Sequence, residues 1–245
     1  MNPTIELLTA HRSIRAFTPE PIEQAKIETF IKAGQAAATS SFIQACTVIQ
    51  VNNPQKRAAL AEYAGNQPYV VSAPVFLVFC ADMHRHKIAC DLHHADMQSG
   101  FTEQFMTATI DCALFAQNVA IAAESEGLGI VYIGGLRNQI ANVSELLGLP
   151  DKVYPVFGLC IGYPDQNPEV KPRLPLPMVL KQDTYTDAQD TALLADYDNE
   201  IREYYRNRTG GNKEMSWSEQ ISGMLVKEAR PHMLSFLQSK GYLLK

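Results

Sequence analysis

An α+β fold is predicted for this chain from three observations. Residues 75–81 (VFLVFCA) are apolar without interruption, as a strand covered on both faces must be. Residues 102–126 carry apolar side chains nearly all round a helical period, the mark of a central helix packed against a sheet or a partner subunit. Two more helical stretches, about 190–206 and 217–238, follow the last strand as a C-terminal excursion.

Each element has its own signal. A helix over about 21–37 follows from the stripe Ile22, Ala25, Ile27, Phe30, Ile31 and Gly34. Residues 46–51 form a strand, and Pro54 opens a short helix through about Tyr63, since proline suits a first helical turn. Strands near 129–133 and 155–162 flank a helix near 138–147 that ends at Gly148-Leu149-Pro150. Between the last two helices lies Arg206-Asn207-Arg208-Thr209-Gly210-Gly211-Asn212-Lys213, a basic hinge with paired glycines. No repeat or low-complexity tract interrupts the chain; its length allows one large domain or two small ones, and a single domain over residues 1–245 is expected, with a helical excursion at about 185–245.

Composition excludes more than it identifies. A net charge of −5 and a pI near 5.7 argue against a nucleic-acid binder, which carries a basic stripe. The apolar-rich stretch near 105–123 holds Asp111, Gln117 and Asn118 and is not expected to span a membrane. Glu6 and the absence of a long apolar run argue against a signal peptide. The five cysteines are scattered and never spaced Cys-x-x-Cys. Cys46, Cys80, Cys112 and Cys160 sit in apolar runs and are expected to be buried, reduced thiols of a cytoplasmic protein.

Three distant segments suit a pocket for a phosphate and a flat ring. His11-Arg12-Ser13-Ile14-Arg15 offers two guanidinium forks, which match phosphate oxygens, with a hydroxyl between them. If the segment borders a helical turn, Arg12 and Arg15 point the same way. The plain alternative is a pair of surface ion pairs with Glu6 and Glu20. Lys171-Pro172-Arg173 places two cations on one face of a stiffened, extended chain, or else is a solvated basic loop. Tyr132-Ile133-Gly134-Gly135 ends a buried strand in glycines, where backbone approaches a ligand with no side chain between.

With Ser40-Ser41-Phe42-Ile43-Gln44, these segments resemble the nitroreductase superfamily, in particular its oxygen-insensitive NADPH nitroreductase and NADPH–flavin oxidoreductase branch. The resemblance covers nearly the whole chain. It implies a central mixed, mainly antiparallel sheet flanked by helices, and a homodimer with tightly bound FMN at the subunit interface. By the same resemblance His11, Arg12, Ser13 and Arg15 hold the FMN phosphate and part of the ring, and Lys171 and Arg173 contact the flavin from the other side. Tyr132, Ile133, Gly134 and Gly135 lie against the isoalloxazine, and Gln67 and Tyr69 stand near it. Ser40, Ser41, Phe42 and Gln44 reach flavin and substrate. Arg208, with Lys213, takes the 2′-phosphate of NADPH as cosubstrate, where the plain alternative is a solvated turn; Lys227 and Arg230 on the final helix line the substrate mouth with Ser41, Phe42 and Gln67, or are ordinary solvent-facing charges. The implied chemistry is ping-pong hydride transfer from NADPH to FMN N5, then reduction of a nitroaromatic, a quinone, free flavin or another small oxidant. No catalytic acid or base is required, and no Gly-x-Gly-x-x-Gly follows a strand.

Two alternatives stand beside this reading: a flavin-binding protein without turnover, and a hydrolase using Ser41 or Cys46 with His11. No nucleophile elbow surrounds either candidate nucleophile. One segment departs from the family pattern. Residues 82–96 carry four of the six histidines (His84, His86, His93, His94) with Cys90, Asp91 and Asp96. Their spacing matches no common zinc signature, so a solvated surface loop is expected there and no metal.

Overall fold

The computed structural model describes residues 2–245. Its sheet is built from β1 (Cys46–Gln50), β2 (Val75–Asp82), β3 (Gly129–Ile133) and β4 (Val153–Gly162) in the spatial order β1-β2-β4-β3, and every pairing among them is antiparallel. The uninterrupted apolar run explains itself here. Val75, Leu77, Phe79 and Ala81 of β2 face one core, while Phe76, Val78 and Cys80 face a second on the other side. β4 begins two residues earlier than expected and holds Pro155 opposite Cys80, where the β2 pairing register shifts. Proline lacks a ladder donor, so an irregular rung is where a strand tolerates it.

Short helix α1 (Pro3–Thr9) opens the chain, and α2 (Gln24–Gln35) follows; β1 leads to α3 (Pro54–Tyr63) and the single turn α4 (Tyr69–Ser72). After β2 come α5 (His84–Leu92) and α6 (Thr102–Ser125); α7 (Ile140–Leu147) joins β3 to β4, and Gly148 ends it in the left-handed region. Residues 84–92 are therefore a helix, not the surface loop expected. Its polar sequence hides the periodicity, yet Lys87 and Asp91 pair at i,i+4 along it.

α6 lies on the sheet through Ala108, Asp111, Cys112, Ala116, Val119, Ala120 and Ala123, small residues that let it approach closely. Among the described residues it is the one helix long and apolar enough to cross a membrane. Its opposite face carries Met106, Ile110 and Leu114 exposed at four-residue spacing. All five cysteines are free; Cys46 is half-buried rather than buried, with its Sγ 3.8 Å from Cys112 Sγ. Burial pushes up the thiols of Cys80, Cys112 and Cys160, the last to about 12, which leaves them poor nucleophiles.

The chain forms two compact units, one comprising everything up to Asn167 together with Arg230–Lys245, the other Pro168–Ala229. The excursion thus starts earlier than about 185 and stops short of the C-terminus. The second unit contains α8 (Leu176–Val179), α9 (Asp190–Thr209) and α10 (Trp217–Leu225). Tyr197, Ile201, Tyr204 and Tyr205 form its core, with Leu174, Leu194 and Trp217 against them. α10 begins with a capping box between Ser216 and Glu219. The single helix expected over 217–238 is two: α10 ends at Leu225, and α11 (Met233–Ser239) belongs to the first unit, where Phe236 and Leu237 enter the core. The break holds Arg230 at φ 57° before Pro231, a residue that disfavours helix at the position preceding it.

Candidate functional site

His11-Arg12-Ser13-Ile14-Arg15 lies beyond α1, in non-helical chain docked beside β3. Ile14 is the anchor. It is buried, its N–H donates to the Ile130 carbonyl at 2.9 Å, and its side chain fills the space that a Cβ on Gly129 would need, 2.5 Å away. The helical turn expected to align Arg12 with Arg15 is absent. Arg12 lines a cavity of about 420 Å³ with His11, Ile14, Glu124, Gly129 and Asn167, whereas Ser13 and Arg15 do not line it. His11 Nδ1 meets Glu124 Oε1 at 2.6 Å, a partner on α6 that sequence reasoning missed. The surface-pair alternative fails for both arginines: among the described residues neither guanidinium makes an ion pair or a hydrogen bond.

The end of β3 meets the turn before α4. A Cβ on Gly135 would stand 2.3 Å from the Ala64 carbonyl and 2.6 Å from Gln67 Nε2, so only glycine fits this approach. Gln67 is itself fixed: its Nε2 donates to the Ala64 carbonyl at 2.7 Å, and its Oε1 accepts from Tyr69 OH at 2.7 Å. Gln67, Tyr69 and Gly135 are therefore one cluster. Tyr132 packs edge-on against Phe157, and burial pushes its phenol up. Arg137, just beyond the glycines, donates to the Val156 carbonyl at 2.6 Å. Arg230 joins it, bonding Asn138 Oδ1 at 2.9 Å. Burial first, and Arg230's charge second, push the Arg137 guanidinium below its ordinary value. Arg230 thus sits in the turn before α11, not on a helix, and Lys227 lies exposed beyond the end of α10.

Residues 40–44 form a contorted loop. Ser41, Phe42 and Gln44 hold φ at 49°, 57° and 54°, a left-handed region non-glycine residues rarely enter. Phe42 is 78% exposed. Asp111, buried on α6, holds the loop: its carboxylate accepts from Thr39 Oγ1 at 2.5 Å, from the Ser40 N–H at 3.3 Å and from the Ala45 N–H at 3.0 Å. Sequence reasoning missed this role, although one acid in a stretch of small apolar residues is the signal of a buried, partnered carboxylate.

In the second unit Lys171 Nζ donates to Tyr205 OH at 2.8 Å and lies 5.0 Å from the centre of its ring. Lys213 Nζ stands 4.1 Å over the same ring, and Arg208 donates to Tyr204 OH at 3.0 Å. Burial pushes the Tyr205 phenol up, but these cations outweigh it and hold it below the ordinary tyrosine value. The structure therefore joins Lys171 to Lys213 and Arg208, which the sequence had placed in two groups, through a tyrosine pair it had not singled out. Arg173 is exposed and, among the described residues, has no hydrogen bond or ion pair. Helix covers the first half of the hinge. α9 runs to Thr209, Gly210 and Gly211 take left-handed φ of 60° and 85°, and the Lys213 N–H donates to Thr209 Oγ1.

Residues 8–163 match the Nitroreductase family, and residues 171–245 match the Nitroreductase family, C-terminal domain. The chain is 48% identical over 241 residues to an NADPH-flavin oxidoreductase of Vibrio harveyi, covering 98% of each chain. It is 45% identical over 242 residues to an oxygen-insensitive NADPH nitroreductase of Salmonella typhimurium, covering 99% of each. The solved NADPH:FMN oxidoreductase from Vibrio harveyi complexed with NAD⁺ superposes with a TM-score of 0.91 at 45% identity, over the whole of both chains. With its flavin-branch motifs in order and relatives matched from end to end, the chain belongs to the nitroreductase family.

Proposed function

We propose that this chain is an FMN-dependent NADPH oxidoreductase that reduces a small oxidised acceptor such as a nitroaromatic, a quinone or free flavin. One observation carries the proposal. Among the described residues the guanidiniums of Arg12 and Arg15, on a segment anchored by buried Ile14 beside the start of β3, have no anion of the protein to pair with, and a phosphate is an anion such forks suit. The donor types also fit FMN, with permanent cations and a hydroxyl for the phosphate and, at Gly134, backbone without a side chain for the flat ring.

In this assignment Arg12, Ser13 and Arg15 bind the phosphate, and His11, held by Glu124, contributes from the same segment. Gln67, Tyr69, Tyr132 and Ile133 shape the ring's surroundings, while Lys171 and Arg173 supply positive charge that favours the anionic reduced ring. FMN, when bound, would supply the redox chemistry between NADPH and the acceptor. Arg208 and Lys213 bind the 2′-phosphate of NADPH. Ser40, Ser41, Phe42 and Gln44 face flavin and acceptor, with Lys227 and Arg230 at the mouth. The protein is a homodimer with the flavin at its interface, and Met106, Ile110 and Leu114 of α6 form part of the apolar surface it buries. Five reduced thiols suit a cytoplasmic location.

The test is a visible absorption spectrum of purified protein before and after anaerobic NADPH. A flavin band that bleaches supports the assignment. Bound flavin that NADPH does not bleach points to a flavin protein without turnover, and protein that takes up no FMN overturns the proposal.

A further inference from the structure

The histidine-bearing helix α5 has no part in the function proposed above, and it carries no metal cluster among the described residues. Its first turn instead faces the strained loop 40–44. The loop cannot hold its own shape, since three left-handed non-glycine residues lie within four positions. Asp111 fixes its beginning and its end from α6. From the opposite direction His86 Nε2 bonds the Ile43 carbonyl at 2.5 Å, and Arg85 donates to the carbonyls of Gln44 at 3.4 Å and Cys46 at 3.2 Å. Arg85 is in turn held by Asp82 at 3.2 Å and by the Thr47 hydroxyl.

The chemistry of His86 is unambiguous. A carbonyl only accepts, so Nε2 carries the proton and donates. The other ring nitrogen, Nδ1, is buried with no partner, so among the described residues the ring makes this one hydrogen bond and no other. A buried ring nitrogen without a partner is a cost, and it is tolerated here for one contact to a loop carbonyl.

We infer that α5 is a strut for the acceptor side of the active site, in which His86 and Arg85 are positioning residues that hold residues 40–44 so that Ser41 and Phe42 are presented outward. This rests on the assignment of that loop to flavin and acceptor. His86 sets the height of the loop at Ile43, next to the exposed Phe42 ring, and so acts on acceptor binding rather than on reduction of the flavin by NADPH.

The test uses FMN-loaded dimer, with 1,4-benzoquinone as the acceptor probe, and four variants: H86A, H86Q, F42A and H86A/F42A. A glutamine side chain keeps an Nε2–H donor, so H86Q is expected to stay within about twofold of wild type while H86A raises the KM for the quinone about tenfold. Anaerobic flavin reduction by NADPH is expected to change less than twofold in both. H86A/F42A is expected to be no worse than F42A, because both act on one loop. Hydrogen exchange at the Gln44 and Ala45 amides, read on protein without turnover, should quicken in H86A and not in H86Q. An unchanged KM in H86A with a raised KM in F42A would overturn the strut while leaving the loop assignment standing. An unchanged KM in F42A overturns the loop assignment and the strut with it. Equal damage from H86A and H86Q overturns the donor role of His86.

Discussion

The two sets of cations differ in how the protein holds them. Arg12 and Arg15 have no ion-pair or hydrogen-bond partner among the described residues, and rigidity comes from the buried Ile14 between them. Lys171, Lys213 and Arg208 are each held by a tyrosine, through hydroxyls at 2.8 and 3.0 Å and a ring face at 4.1 Å. The first arrangement leaves the whole charge for a ligand and suits the flavin phosphate, while Lys171, given to the same flavin, is already shared with a tyrosine. The second engages the cations with soft, neutral partners that yield to a phosphate, which for Arg208 and Lys213 suits a cosubstrate that comes and goes.

The sharpest way to break this comparison is to remove the unpaired charges. Each charge-assisted hydrogen bond contributes about 1.5–3 kcal/mol, so R12A/R15A should weaken FMN binding by roughly 10³-fold, read by fluorescence titration of the apoprotein. K171A should cost about tenfold by the same reasoning, since Tyr205 already shares that charge. Equal losses would mean that tyrosine engagement does not distinguish the two sets.

Arg208 gives the next largest effect. R208A is expected to raise the KM for NADPH about 20-fold and leave that for NADH within about twofold, because only the first carries a 2′-phosphate. An unchanged KM for NADPH would remove Arg208 from the cofactor site. Y205F then separates hydroxyl from ring. Lys171 loses its 2.8 Å acceptor, but both lysines keep the aromatic face, so a change of about threefold is expected; Y205L, which removes the ring as well, should cost roughly another threefold.

How much of this was legible in the sequence depends on whether a signal is local. β2 was readable because burial on both faces leaves an uninterrupted apolar run, and α3 because Pro54 marks its first turn. The cations were found by type and spacing. Their partners were not, because Glu124 lies 113 positions from His11 and Asp111 lies 72 from Thr39, distances no local pattern encodes. The helix over 84–92 was missed because its polar residues are spent on the loop 40–44 rather than on an apolar stripe. The break before α11 was signalled by Arg230-Pro231 and overlooked in favour of the periodicity around it. Tyr205 resembled ordinary helix core, and it is core, but its hydroxyl end also meets the cations.

The smallest expected effect concerns how the tyrosine platform itself is kept in place. α9 is tied to the start of α10 by Asp198, whose carboxylate accepts from the Ser218 N–H at 2.9 Å and from the Ser218 hydroxyl. Burial pushes this carboxyl up, but the bonds from Ser218, then Ser216, outweigh it and hold its value below that of an ordinary aspartate. A group depressed in the folded state contributes stability that is present above the unfolded value, near 3.9, and is lost as pH falls through the folded one. The tie is therefore intact at neutral pH and weakens only in acid. Melting followed by the fluorescence of Trp217, the single tryptophan, which packs on Tyr197 in this unit, should fall between about pH 5 and pH 3 in wild type. D198N should melt lower at neutral pH and show a flatter dependence below about pH 5, because an amide cannot titrate. If D198N follows the wild-type acid profile, the acid sensitivity of this unit comes from other carboxylates, and the tyrosines stand on apolar packing alone.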